Sequence, residues 1–124
     1  MHFDQREQRA LREAGLSTEE IGDVSDRVAA LVEETAADLE AFFERHETLH
    51  SDLSMAHSSG EFSTHEGATL DCYTHAADLR GWLRFETWGA YVEDGRVLSD
   101  DLVELSLGPT VNERVRFATS TDAL

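Results

Sequence analysis

The feature that most constrains the fold is a run of apolar side chains at helical spacing between Ser25 and Ser58. Successive members are separated mostly by three or four residues, which places them on one face of a helix. The stripe consists of Val28, Leu31, Val32, Thr35, Leu39, Phe42, Phe43, His46, Leu49, His50, Leu53 and His57. We therefore predict one long helix over about residues 25–58, about 45 Å long at 1.5 Å per residue.

Two further signals indicate helices before this stripe. Asp4–Ala14 is predicted to be a short helix, and Gly15 stands where a left-handed residue commonly ends one. Ser17 and Glu20 have the spacing of a capping box, so a second helix is predicted to begin just after Ser17. Gly22 leaves open whether that helix breaks or runs on into the long one, since one glycine costs about 1 kcal/mol.

From Ala68 onward the pattern changes to the two-residue alternation of β-strands. Strands are predicted over 68–76 and 80–92 and around 103–107 and 111–117. Asp94-Gly95 predicts a tight type I′ hairpin, because both positions of that turn need positive φ.

Helices followed by strands predict an α+β fold. We expect one domain over 1–124: a helical part over 1–58, and a C-terminal antiparallel β-meander of about four strands over 68–119, with the long helix packed on one face.

The charge composition is unusual. The chain has 26 acidic and 10 basic residues, a formal charge of −16, and all ten basic residues are arginine. In this composition the chain resembles cytoplasmic proteins of salt-accumulating halophilic archaea, among them small acidic proteins with no assigned function. The resemblance implies that the acidity is a solvated surface adapted to multimolar salt, which screens charges within about 3 Å.

Several classes of function find no support in the sequence. It has no glycine-rich phosphate loop, no Gly-x-Ser-x-Gly elbow and no basic stripe, and the acidic helices disfavour nucleic acid as a partner. The N-terminal residues lack the apolar segment of a signal peptide, and no apolar run reaches the length of a membrane span. The single Cys72 fits a reducing compartment. We expect a cytoplasmic protein with no membrane partner.

One motif has a chemical meaning, His46-Glu47-Thr48-Leu49-His50. On a helix, imidazoles four residues apart can bind one zinc ion at about 2.0–2.1 Å. The motif resembles the HExxH of zincin metallopeptidases, which implies that His46 and His50 bind zinc and that Glu47 is the catalytic base. The chain departs from that family in having predicted helices, not strands, before the motif, and in having Leu53 and Ala56 where the metzincins continue with Gly and His.

Further zinc ligands are predicted near the motif. His57, Cys72 and His75 are candidates, and a downstream carboxylate such as Glu61 or Glu66 is another. Cys72 and His75 point to opposite faces of a regular strand, so both would bind one ion only across a turn or bulge. The alternative is that Cys72 packs as a small core residue and the protein has no cofactor.

The sheet face opposite the helix is predicted to combine aromatic residues with arginines, as protein interfaces do. The interface candidates are Tyr73, Trp82, Arg84, Trp88, Arg114 and Arg116, with His75 on the same side. Two other interpretations stay open: stacking of single-stranded nucleic acid on the aromatics, and simple pairing of Arg84 and Arg114 with Glu86 and Glu104 across strands.

The sequence therefore favours a non-catalytic domain of unknown function that self-associates as a homodimer or binds another protein. The alternative is a zinc-binding protein, and a metal-dependent hydrolase if Glu47 acts as a base.

Overall fold

The computed structural model describes residues 3–53, 62–109 and 111–124 and confirms an α+β fold. In these ranges two α-helices precede a seven-stranded antiparallel sheet. The helices are α1 (Gln5–Glu13) and α2 (Thr18–Arg45), and a 3-10 turn, Thr121–Ala123, follows the last strand. The strands are β1 (Thr48–Ser51), β2 (Ser63–Glu66), β3 (Thr69–His75), β4 (Asp78–Arg84), β5 (Gly89–Ser99), β6 (Leu102–Gly108) and β7 (Glu113–Ala118). Neither α1 nor α2 has the length and apolarity that a membrane span requires.

The end of α1 and the start of α2 follow the local signals in the sequence. Gly15 has φ +98° directly after α1, where only glycine avoids a steric penalty. Ser17 Oγ accepts a hydrogen bond from the Glu20 N–H, and the Glu20 carboxylate accepts one from the Ser17 N–H, each at 3.1 Å. This capping box also lowers the pKa of Glu20 through its two hydrogen bonds with Ser17. The helix then continues through Gly22 without a break.

The predicted end of the long helix, near residue 58, is wrong. α2 ends at Arg45, and His46 is already extended with φ −120° and ψ 108°. Leu49 and Ser51 are buried and alternate with more exposed neighbours in β1. Because Leu49 and Leu53 are four residues apart, they fit a helical period as well as a strand period of two. Residues 48–51 form a strand because they pair with β2 and β7.

The sheet has seven strands where about four were expected. Their order is β2-β1-β7-β6-β5-β4-β3, so the chain places the β1–β2 hairpin beyond the last strand of the β3–β7 meander. β1 and β2 fall in regions predicted to be helix and loop. The predicted strand 80–92 is two strands, joined by a turn in which the Phe85 N–H donates to the Trp88 carbonyl at 2.7 Å.

The predicted hairpin at Asp94-Gly95 is also wrong, because β5 continues through it and Gly95 pairs with Leu105. A Cβ at Gly95 would lie 2.8 Å from both Leu39 Cδ1 and Leu105 Cδ2. The glycine is therefore required by close packing of α2 on the sheet, and not by a turn. The chain reverses instead at Asp100 and Asp101.

The core lies between α2 and the concave face of the sheet. α2 packs mainly on β3 and β5, and its Phe43 ring contacts Phe117 of β7 with centroids 5.3 Å apart. The sheet is strongly coiled, because His65 of β2 and Phe85 at the end of β4 stack at 4.7 Å although four strands lie between β2 and β4. The buried core side chains include Leu39, Phe42, Phe43, Leu49, Leu70, Leu83, Val92, Val103, Leu105, Val115 and Phe117.

Candidate functional site

The structure separates the two histidines of the predicted zinc motif. His46 caps the C-terminus of α2 and its ring contacts Phe42 at 5.1 Å, whereas His50 lies in β1 with Nδ1 3.1 Å from Thr64 Oγ1. The two residues do not share a helix face, so the premise of the zincin-like site is wrong. Glu47 is exposed between the two elements, and the further candidate His57 lies outside the described residues.

Cys72 and His75 project from opposite faces of β3, with Cys72 against the core and His75 exposed. The Cys72 N–H donates to a Glu40 carboxylate oxygen at 2.9 Å. Burial, together with the charges of Glu40 and Asp71, raises the pKa of the Cys72 thiol to about 12. This environment favours a protonated thiol over the thiolate that binds zinc. In the described ranges no three His, Cys, Asp or Glu side chains group in a way that could hold a metal ion.

The outer face of the sheet presents an aromatic patch, which we define as Tyr73, Trp82 and Tyr91 with Arg80 and Arg84. Tyr73 is 58% and Trp82 is 43% exposed. The hydroxyls of Tyr73 and Tyr91 lie 3.1 Å apart, and the Arg80 guanidinium donates to the Glu93 carbonyl at 2.7 Å. The structure therefore brings Tyr73, Trp82 and Arg84 to one face, as predicted.

Sequence reasoning missed Tyr91 and Arg80 as members of this patch. Tyr91 pairs directly with Trp82, and Arg80 pairs with Tyr73. Arg80 could have been found by alternation with Trp82 and Arg84 in the same strand, whereas Tyr91 could have been found only with the boundary between β4 and β5 placed correctly. Gly89 makes room for the patch, because a Cβ there would lie 2.8 Å from Trp82 Nε1.

Trp88 does not belong to the aromatic patch. Its ring stacks on Phe85 with centroids 4.6 Å apart, and both rings pack against the core. The prediction failed because a single strand was assumed over 80–92, and the turn after Arg84 resets the alternation of faces. The predicted place of Trp88 in the interface is therefore wrong, because the residue was assigned to the wrong face of the sheet.

Arg114 and Arg116 lie on the outer face of β7, opposite Ser106 and Glu104 respectively. The nearly buried Glu104 carboxylate accepts from Arg96 Nε at 3.0 Å and from Arg116 Nε at 3.2 Å. The hydrogen bond from Arg96, and then that from Arg116, lowers the pKa of Glu104. The sequence suggested that Arg114 pairs with Glu104 across strands. In the structure Arg116 is the arginine of β7 that pairs with Glu104.

A second feature, which we call the histidine cleft, lies between β2 and the turn at residues 85–88. His65 is buried there, with Nε2 2.6 Å from Ser51 Oγ. Burial, and to a smaller extent His50, lowers the pKa of His65. The predicted site residues do not include His65. The alternation of Ser63, Thr64, His65 and Glu66 was the available signal for a strand with His65 facing inward.

The fold and these two features define a small α+β domain, with one long helix on a coiled seven-stranded sheet, an exposed aromatic patch and a histidine cleft. The chain belongs to a family of unknown function, DUF7532, whose model matches residues 1–122. No curated protein and no solved structure matches the chain.

Proposed function

We propose that this protein acts by association and forms a homodimer through the aromatic patch. The observation that carries the proposal is the exposure of Tyr73 and Trp82 on the same sheet face. Exposed aromatic side chains flanked by arginines are the residue types that dominate binding energy at protein interfaces. A two-fold axis through this patch would place each Trp82 against the aromatic rings of the other copy.

The charge of the chain favours this face over the remaining surface. With a formal charge of −16, two copies repel each other wherever carboxylates meet. The aromatic patch contributes two guanidinium groups, Arg80 and Arg84, and has Asp71 on the same outer face as a possible partner across the axis. The acidic remainder fits a cytoplasm with multimolar salt, in which screening over about 3 Å weakens repulsion between the copies.

Light-scattering mass measured over a range of salt concentrations tests the proposal. We expect a dimer for the unmodified chain and a monomer for Trp82→Ala. Leu31→Ala is the matched control, because Leu31 is also a large exposed apolar residue, 53% exposed, but lies on α2. That variant should stay dimeric. A monomeric mass for the unmodified chain at every salt concentration, or a dimeric Trp82→Ala, contradicts the proposal.

A further inference from the structure

The histidine cleft has a volume of about 190 Å³ and lies beside β2, an edge strand of the sheet in the described part of the chain. One wall is β2, with Thr64, His65 and Glu66. The opposite wall is the turn between β4 and β5, with Phe85, Glu86 and Trp88. The cleft therefore joins the edge strand β2 to a turn between two strands near the other edge of the sheet, and its volume matches a small molecule.

Two residues of β2 turn their backbone groups away from β1. The Gly67 N–H donates to the Glu47 carbonyl at 2.7 Å, which marks Glu47 and Gly67 as a hydrogen-bonded pair of the β1–β2 ladder. Such pairs alternate along an antiparallel ladder, so Thr64 and Glu66 turn their N–H and C=O groups away from β1. Within the described ranges these groups have no backbone partner. The edge thus offers hydrogen-bonding groups to a ligand.

The charge of the cleft has one sign. Glu66 and Glu86 line it, and among the described residues no lysine or arginine does. His65 adds no positive charge at neutral pH, since burial lowers its pKa. The rings of Phe85 and Trp88, tilted by 35° to each other, supply the negative aromatic faces that attract cations.

We propose that the histidine cleft binds a small organic cation with N–H donors, of the alkylguanidinium or alkylammonium class. The charged head lies between the Glu66 and Glu86 carboxylates and beside Trp88, where it donates hydrogen bonds to the carboxylates and to the β2 carbonyls that point away from β1. Its alkyl part lies on the Phe85 ring. A neutral ligand of the same shape would lose the charge-assisted hydrogen bonds, and an anion would be repelled.

The cleft and the aromatic patch use opposite sides of the sheet, so the two proposals can fail separately. The Trp82→Ala variant tests the two proposals separately. Its binding of the cation should match that of the unmodified protein, whatever its mass in solution.

The test is a titration with N-butylguanidinium and with its neutral isostere N-butylurea at constant ionic strength, followed by the NMR signal of the Trp88 indole N–H. Trp88→Phe assigns that signal. We expect a saturable shift with N-butylguanidinium and affinity about ten-fold lower for N-butylurea. Glu86→Gln and Glu66→Gln should each weaken binding of the cation about two- to five-fold.

Glu33→Gln is the matched control, because Glu33 is an exposed carboxylate on α2, away from the cleft. It should leave the affinity unchanged. The proposal is overturned if the two probes bind equally, if Glu86→Gln and Glu33→Gln have the same effect, or if neither probe shifts the Trp88 signal in protein that shows a cooperative thermal transition.

Discussion

The Ser51 hydroxyl and His65 Nε2 lie 2.6 Å apart on the concave side of the β1–β2 hairpin, where both side chains are buried. The position of this imidazole links folding to pH. Burial lowers the pKa of His65 below its ordinary value of 6.5, so the folded state binds fewer protons than the unfolded state between the folded pKa and 6.5. The resulting stabilisation is present above 6.5 and is lost as the pH falls through the folded pKa.

We therefore expect the free energy of unfolding to decrease as the pH is lowered from about 7.5 to about 5.5. Urea unfolding at several pH values measures it. His65→Gln should flatten the dependence over this window, whatever its effect on stability at pH 7.5. His75→Gln, at an exposed histidine of β3, should keep the original slope. Equal slopes for the His65 variant and the unmodified protein would show that His65 is not responsible.

The ion pairs at Glu104 should contribute measurably to stability. Glu104→Gln keeps the shape of the side chain but removes the charge that accepts from Arg96 and Arg116. We expect a loss of about 1.5–3 kcal/mol in the free energy of unfolding, the range for hydrogen bonds to charged groups. Denaturant unfolding measures the loss, and Glu33→Gln, on the exposed face of α2, should change stability by less than about 0.5 kcal/mol. A neutral result at Glu104 would mean that desolvation offsets both bonds.

Replacement of Gly95 should disturb the packing of α2 on the sheet. The added methyl group of Gly95→Ala would lie 2.8 Å from both Leu39 Cδ1 and Leu105 Cδ2, so both side chains or the backbone between them must move. Overpacking of this kind costs about 1–3 kcal/mol, which the urea midpoint would report. Val97→Thr, two residues along β5 at an exposed and still β-branched position, is the control with an expected change below about 0.5 kcal/mol. A Gly95→Ala variant as stable as the control would mean that the helix shifts without penalty.

Cys72 should be unreactive in the folded protein. With its pKa raised to about 12, the thiolate is about one part in ten thousand of the thiol at pH 8. Iodoacetamide should therefore alkylate the native protein far more slowly than the urea-unfolded protein, as mass spectrometry over time would show. Glu40→Gln should raise the native rate by removing the nearest negative charge. Rapid alkylation of the native protein would contradict this account of the site.

The elements that the sequence predicted well are those with local causes. The capping box at Ser17 and Glu20 acts over three residues, and the start of α2 was found from it. The end of α2 depends on long-range pairing, because Ser51 becomes part of a strand by pairing with Phe117, far along the chain. A single-sequence pattern cannot distinguish the two periods at Leu49 and Leu53.

The other errors, at Gly95 and at His65, also come from contacts between residues that are distant in sequence. Asp94-Gly95 has the composition of a turn, but Gly95 is required because Leu39, which is distant in sequence, packs against its Cα. His65 was passed over because the strand that positions it is only four residues long. The aromatic patch was recovered in part, since Tyr73 and Trp82 lie well inside their strands, where alternation is reliable.

The hydrogen bond from the Cys72 N–H to Glu40 also governs how sheets of neighbouring molecules can join. It occupies the midpoint of β3, one of the two edge strands, with a carboxylate that an incoming strand would have to displace. Continuous lateral growth needs two receptive edges on every molecule. The other edge strand in the described part of the chain, β2, faces the turn at residues 85–88 across the histidine cleft. Strand addition is therefore hindered at both edges, which protects a sheet-rich protein from polymerising into fibrils.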